Sequence, residues 1–145
     1  MKFKLELPIN KSRVEVWKAF DNAENIKKWQ STLVSFEPVS GTPGQPGAVS
    51  KLTHKEGNRD LILIEKITRR DEPNGFDGVY ESEFADNAIR NTFIEQGKDR
   101  TLWVMETEFV FKTFLMKILG PLMKKNFVKR TEEDLKRFKE MTKSQ

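Results

Sequence analysis

The fold of this chain is decided by residues 101–141, which read TLWVMETEFVFKTFLMKILGPLMKKNFVKRTEEDLKRFKEM. The first part, Thr101 to Phe111, alternates as a strand does, and the rest, from about Thr113 to Met141, has the period of a long amphipathic helix. The apolar stripe of this helix comprises Met116, Leu119, Met123, Phe127, Leu135, Phe138 and Met141. Because the stripe must be buried against a sheet, and a curved sheet closed by one helix leaves space between them, the pattern predicts a cavity.

Pro121 lies inside this helix, where it removes a backbone N–H and crowds the preceding turn. We therefore expect a kink or break near Gly120. Before that point, Leu115, Ile118 and Leu122 fall away from the main stripe, so the segment is apolar on more than one side. It could be a ligand gate, a membrane-touching tip, a dimer contact or a segment buried beneath the neighbouring hairpins.

The length and composition are those of one soluble domain. A chain of 145 residues can bury a hydrophobic core without disulfides or structural metal ions, and we expect a single domain over 1–145. The absence of cysteine excludes disulfides, a thiol nucleophile and thiolate metal sites, and fits a reducing compartment. The N-terminal residues alternate between charged and apolar, unlike a secretory signal, and the longest apolar stretch, Phe109 to Met123, is interrupted by two lysines. We expect a cytoplasmic protein.

The net charge of +4 is unevenly distributed. Residues 1–111 hold 16 Lys and Arg against 18 Asp and Glu, whereas residues 112–145 hold 10 against 4. Basic residues on an amphipathic helix usually form its solvent face, so we expect no nucleic acid partner. A peripheral membrane or protein contact through this basic C-terminal helix remains an alternative.

The segments before residue 101 read mostly as strands. Alternation from Phe3 to Ile9 predicts the first strand, and the capping-box sequence Ser12-Arg13-Val14-Glu15 predicts a short helix after it. A second helical turn with Ile26 and Trp29 should plug one end of the sheet. Further strands are predicted at Leu33–Val39, Val49–Lys55, Leu61–Thr68, Phe76–Phe84 and Ile89–Glu95, before the strand at Thr101–Phe111. The short connections, which include Ala85-Asp86-Asn87, favour antiparallel neighbours.

This order of one strand, two short helices, about six antiparallel strands and a long C-terminal helix resembles the START-like superfamily, also called polyketide cyclase/dehydrase-like, SRPBCC or helix-grip proteins. The local marks of the resemblance are Ser12 to Trp17, Trp29, the turn Gly41 to Gly47, and Leu119 to Met123. The resemblance implies an α+β fold in which a curved sheet of about seven strands wraps around the long helix. It also implies an apolar cavity for lipids, sterols, polyketides, quinones or hormones. Its members include binders and cyclases, so it selects no activity.

Strand alternation predicts which side chains face the cavity. Positions Phe76, Gly78, Tyr80, Ser82 and Phe84 form one inner face, and Trp103, Met105, Thr107 and Phe109 form another. The predicted ligand-binding residues are Tyr80, Phe84, Trp103, Met105, Thr107, Met116, Met123, Phe127 and Thr131. The alternative is that these side chains only fill the core.

Few residues are suited to catalysis. His54 is the only histidine and Tyr80 the only tyrosine, and with Asp134 they are the candidates for moving a proton. We expect His54 at the surface beside the Gly57 turn, and Asp134 in water where the helix clears the sheet. One histidine, no cysteine and no carboxylate cluster predict no metal site, and Gly41 to Gly47 lacks the Gly-Lys-Ser/Thr ending of a phosphate loop. We expect no cofactor.

Two functional hypotheses follow. The first is a non-catalytic carrier or sensor that binds a small hydrophobic ligand (a lipid, a quinone or a polyketide-like molecule) between the sheet and the C-terminal helix. The second is a cyclase or hydratase acting on a hydrophobic substrate in the same cavity, where Tyr80, His54 or Asp134 moves a proton.

Overall fold

The computed structural model describes residues 1–145 and contains one seven-stranded sheet and four helices. The strands are β1 (Lys2–Ile9), β2 (Leu33–Ser40), β3 (Val49–Glu56), β4 (Arg59–Asp71), β5 (Gly75–Glu81), β6 (Ala85–Glu95) and β7 (Thr101–Phe111). The helices are α1 (Arg13–Asp21), α2 (Ile26–Trp29), α3 (Phe114–Leu122) and α4 (Lys124–Thr142), and a 3₁₀ turn at Ala23–Asn25 precedes α2.

The strands pair antiparallel in the order β1-β7-β6-β5-β4-β3-β2. Only β1 breaks the sequential order, because α1 and α2 carry the chain away from it and β7 returns to pair with it. The curved sheet wraps around α4, whose 19 residues span about 28 Å. The predicted α+β helix-grip architecture is confirmed.

The first helix begins as its sequence predicts. The Ser12 hydroxyl accepts a hydrogen bond from the Glu15 backbone N–H at 3.2 Å, which satisfies one of the free donors at the helix start. Val16 and Trp17 of α1 and Trp29 of α2 are buried. The two helices therefore close one end of the sheet.

The C-terminal helix is interrupted at Met123, three residues after Gly120, near which a kink or break was predicted. Pro121 removes one N–H donor from the backbone hydrogen bonds of the helix, yet α3 continues to Leu122. The chain leaves helical geometry at Met123, whose N–H bonds to the Gly120 carbonyl at 2.9 Å. The break leaves α3 and α4 as separate helices. No helix in the structure has both the length and the apolar character needed to cross a bilayer.

The hairpin between β5 and β6 differs from the prediction. Strand β5 ends at Glu81, and the Ser82 hydroxyl accepts hydrogen bonds from the N–H groups of Phe84 and Ala85 at 3.3 and 3.1 Å. This tight turn places Phe84 at the hairpin tip. Residues 85–87, predicted as a turn, instead begin β6.

An aromatic cluster fills the end of the molecule closed by α1 and α2. Trp103 is fully buried at its centre, with its ring centroid 4.9 Å from that of Phe138 and 5.7 Å from that of Trp29. The Trp103 indole N–H donates to Asn91 Oδ1 at 3.0 Å, so its polar atom is satisfied. Trp103 is therefore enclosed, and the open space under the sheet begins beside this cluster, at Phe20 and Trp29.

Candidate functional site

A cavity of about 450 Å³ lies between the inner face of the sheet, α2 and α4. This volume is within the usual range for sites that enclose a small organic ligand. Its apolar wall includes Phe20, Trp29, Phe36, Leu52, Leu63, Ile67, Phe76, Ile89, Met105, Phe109 and Leu135. These side chains come from both the sheet and the helices, so a bound molecule would contact the sheet on one side and the helices on the other.

A polar row crosses this apolar wall. Ser50, Glu65, Tyr80 and Asn87 are successive cross-strand partners on β3, β4, β5 and β6, and all four line the cavity. Direct partners in an antiparallel sheet point to the same face. Thr107 on β7 extends the row, because its hydroxyl donates to Asn87 Oδ1 at 2.5 Å. The cavity therefore combines an apolar body with one polar band.

Glu65 is the most unusual member of the polar row. The residue is only 8% exposed, and burial raises the pKa of its carboxyl, although its hydrogen bond with the Tyr80 hydroxyl opposes that rise. The pKa of Tyr80 is raised well above its ordinary value by burial, with the charge of Glu65 adding to the effect. Tyr80 consequently remains a neutral phenol beside the Glu65 carboxyl.

Glu65 is also the one acid of the cavity wall without a cationic partner. The ion pairs at the wall are Arg70 with Asp21 at 2.7 Å, Arg130 with Glu56, and Asp134 with Arg137 at 2.6 Å. No Lys or Arg lies within ion-pair distance of Glu65. A buried carboxylate without such a partner is costly, which explains why the pKa of Glu65 is raised.

His54 and Asp134 are half-buried and both line the cavity, whereas the sequence predicted His54 at the surface beside the Gly57 turn and Asp134 in water. His54 Nδ1 lies 2.9 Å from the Thr32 hydroxyl, and burial lowers the pKa of its imidazole. Burial also raises the pKa of Asp134, with Arg137 acting in the opposite direction. The three predicted proton-transfer candidates thus share one cavity, but no hydrogen bond links Tyr80, His54 or Asp134 to one another.

Solved structures of other proteins share this architecture. A START superfamily protein from Mycobacterium smegmatis is 14% identical, with 99% of this chain and 97% of that chain covered and a TM-score of 0.82. The chain has the helix-grip fold of the START-like superfamily. The Zhui aromatase/cyclase from Streptomyces sp. R1128 is 9% identical, covering 99% and 93% with a TM-score of 0.80. Norcoclaurine synthase from Thalictrum flavum is 15% identical, covering 99% and 87% with a TM-score of 0.72.

These identities establish the helix-grip fold and no particular activity. No protein-family model matches the sequence, and no curated protein matches it significantly. Across residues 1–145, no group of three or more His, Cys, Asp or Glu side chains is arranged to hold a metal ion.

The helix-grip cavity brings together four of the nine predicted ligand-binding residues, namely Tyr80, Met105, Thr107 and Thr131. The other five lie outside its lining. Phe84 is in the hairpin turn, and Trp103 is enclosed by the aromatic cluster. Phe127 stacks on Phe109 with ring centroids 5.3 Å apart, and it is Phe109 that faces the cavity.

Met116 and Met123 also lie outside the lining, because they belong to α3 and to the break after it. Gly120 of this segment packs on Phe111, the last residue of β7, so α3 covers the end of this strand beyond the cavity. The apolar stripe predicted from the sequence runs across the break at Met123, so its first part lies on α3 and not on α4.

Sequence reasoning missed Glu65, Asn87 and Asn91. Strand β4 is apolar on both faces, since Ile62 and Ile64 alternate with Leu61 and Leu63, so the period alone did not orient Glu65. Asn87 was assigned to a turn. The available signal was the run of alternate positions 61, 63, 65 and 67, which reads Leu, Leu, Glu, Ile and contains a single acid.

Proposed function

We propose that this protein binds a small hydrophobic molecule in the cavity between the sheet and α4, as a non-catalytic carrier or sensor. The observation that carries this proposal is the cavity of about 450 Å³, which remains open although an aromatic cluster fills the adjacent core. The norcoclaurine synthase structure, which has the same fold, contains dopamine and hydroxybenzaldehyde. The absence of cysteine supports a reducing compartment such as the cytoplasm.

The polar row narrows the class of ligand. Glu65 has no cationic partner in the cavity wall, so a ligand carboxylate beside it would add a second unpaired negative charge. A hydroxyl, carbonyl or amine could instead hydrogen-bond to the Glu65 and Tyr80 pair. The favoured ligand therefore has an apolar, ring-sized body with a neutral or cationic polar group, and the lipid, quinone and polyketide-like classes remain within this description when they carry no free acid.

The binding proposal is tested with two tryptophan substitutions on one strand. One fills the cavity, and the other, on the opposite face of the strand, does not. Leu63 lines the cavity, whereas its neighbour Ile62 points outward and is 44% exposed. Leu63→Trp should abolish the saturable fluorescence increase of the neutral probe N-phenyl-1-naphthylamine, and Ile62→Trp should retain it. Equal binding by both variants, with unchanged circular dichroism spectra, would place the probe outside the cavity.

The ligand class is tested with three compounds that share one skeleton: 2-naphthylethylamine, 2-naphthylethanol and 2-naphthylacetic acid. Calorimetric titration should show weakest binding for the acid, and Glu65→Gln should reduce that discrimination because it removes the carboxylate but keeps its shape. Preferential binding of the acid by the wild-type protein would contradict the role given to Glu65, while leaving the cavity as the binding site.

A second candidate function is proton-transfer catalysis of the cyclase or hydratase type. The observation that favours it is the buried Glu65 carboxyl beside Tyr80, because burial raises the pKa of this carboxyl and a positioned carboxyl can act as a general acid or base. Once a ligand is identified, prolonged incubation with stoichiometric protein should yield a product whose formation requires Glu65 and Tyr80. Recovery of unaltered ligand would exclude turnover of that compound.

A further inference from the structure

Helix α3 exposes an apolar surface. The α3 patch consists of Phe114, Leu115, Ile118, Leu119, Leu122 and Met123, all of which are exposed. Phe114 and Leu122 are the extremes, at 80% and 78% exposed. Soluble proteins rarely leave contiguous large apolar side chains in water without an interaction partner.

The side of α3 opposite the α3 patch packs on the sheet and thereby fixes the orientation of the helix. At about 100° per residue, the exposed Phe114, Ile118 and Leu122 fall on one arc, while Gly120 lies on the opposite side of the helix. Gly120 is buried against the Phe111 ring, and a Cβ at this position would lie 2.5 Å from Phe111 Cε2. The missing side chain lets the helix backbone rest on the sheet, and this contact directs the α3 patch outward.

The charge around the α3 patch has one sign. Residues 112–131 contain no Asp or Glu, and their basic residues are Lys112, Lys117, Lys124, Lys125, Lys129 and Arg130. Lys112 pairs with Asp86 and Arg130 pairs with Glu56. The other four lysines form no ion pair within the chain, so their charges are available to a partner.

We propose that the α3 patch docks the protein on an anionic lipid surface. The apolar side chains enter the boundary between headgroups and acyl chains, and the flanking lysines contact the lipid phosphates and carboxylates. A helix with a broad apolar face and basic flanks has the chemistry of an interfacial helix, which lies on the membrane and does not span it.

A second copy of this chain fits the patch less well. Apposing two α3 patches would bring the unpaired lysines of both copies together. The nine residues of α3 also extend only about 14 Å, which is short for a stable interface of about 800 Å² on each side. An anionic bilayer instead offers both the opposite charge and an apolar layer.

The docking site adjoins the ligand cavity. Phe127, in the first turn of α4 after the α3 break, stacks on Phe109, and Phe109 lines the cavity. The membrane-facing end of the molecule is thus the end at which the Phe109 side of the cavity lies. Docking does not depend on the ligand proposal, because its evidence comes from a different surface.

The proposal is tested by flotation of the full chain with vesicles of phosphatidylcholine and phosphatidylserine, and with vesicles of phosphatidylcholine alone. The protein should float with the phosphatidylserine vesicles, and high salt should weaken that binding. Phe114→Ser with Leu122→Ser should lower the bound fraction about tenfold or more. The matched control is Val14→Ser with Val39→Ser. These valines are 54% and 63% exposed on other surfaces, and the variant should bind as the wild type does.

A charge variant tests the electrostatic part. Lys124→Gln should weaken binding about fivefold, whereas Lys98→Gln, in the hairpin at the opposite end of β7, should leave it unchanged. Failure of the wild-type protein to float with phosphatidylserine vesicles would overturn the proposal. It would equally be overturned if light scattering showed a wild-type dimer that the Phe114 and Leu122 substitutions convert to a monomer.

Discussion

Gly120→Ala is the substitution whose effect on the free energy of unfolding follows most directly from the structure. A Cβ at this position would lie 2.5 Å from Phe111 Cε2 and 2.6 Å from Cε1, well inside van der Waals contact, and Phe111 is only 8% exposed. Overpacking of this kind costs about 1–3 kcal/mol, against an intrinsic helix gain of about 1 kcal/mol for alanine over glycine. The free energy of unfolding should therefore fall by up to about 2 kcal/mol.

Urea denaturation measures this change, and a double-mutant cycle identifies its cause. Phe111→Leu removes the ring atoms that a Cβ at position 120 would meet. The double variant should consequently lose about 1 kcal/mol less than the sum of the two single variants. Lys117→Ala, at an exposed position of the same helix, should remain within about 0.5 kcal/mol of wild type.

Two results would refute this reasoning. A Gly120→Ala variant more stable than wild type would mean that α3 moves freely away from Phe111 and that helix propensity dominates. Strictly additive effects of the two substitutions would mean that the glycine and the ring do not interact. Either result would also remove the contact that orients the α3 patch.

Three further predictions concern single side chains. Because the pKa of Glu65 is raised above 4.5 in the folded protein, the unfolded chain ionises first as the pH rises, so Glu65→Gln should stabilise the protein at neutral pH and lose that advantage below pH 4.5. Urea unfolding at both pH values measures the difference, and equal stability of the variant and the wild type at neutral pH would contradict it. Ser12→Ala should cost about 1 kcal/mol by removing the cap on the Glu15 N–H, and Ser12→Asp should restore most of it in the same assay. An unaffected Ser12→Ala variant would show that the cap contributes nothing. Arg70→Leu should lower the free energy of unfolding by about 1 kcal/mol, because its two short bonds to Asp21 join α1 to β4, and high salt should reduce that loss because both bonds are exposed. A change within about 0.5 kcal/mol, the size expected for a surface substitution, would speak against this contribution.

The fold was largely predictable because its signals are local. The Ser12 cap, the alternation in β1 and β7, and the apolar stripe of the last helix each follow from one period or one short motif. The helix break was predicted near Gly120 and lies three residues later, because Pro121 shows that the helical hydrogen bonding is disturbed but not at which residue the chain leaves the helix.

The site was only partly predictable. Tyr80, Met105 and Thr107 could be placed because their strands alternate cleanly between charged and uncharged residues. Glu65 could not, because both faces of β4 are apolar near it and the cross-strand register with Tyr80 depends on a bulge between Ile67 and Arg69. His54 likewise occupies a strand whose face the sequence leaves ambiguous.

The division between filled core and open cavity depends on tertiary packing. Trp103 and Met105 share a strand face, yet Trp103 is enclosed by Phe93 and Phe138 while Met105 borders the cavity. Sequence periodicity assigns both to the inside equally. Only the positions of α1 and α2, which bring their aromatic rings to one end, separate them.

Native mass spectrometry with N-phenyl-1-naphthylamine can show whether the cavity holds one ligand, because it counts bound molecules on the intact chain. We expect a single adduct on the wild-type protein and on Ile62→Trp, and loss of that adduct in Leu63→Trp. Retention of the single adduct by Leu63→Trp, or no adduct on the wild-type protein at saturating probe, would contradict ligand binding in this cavity.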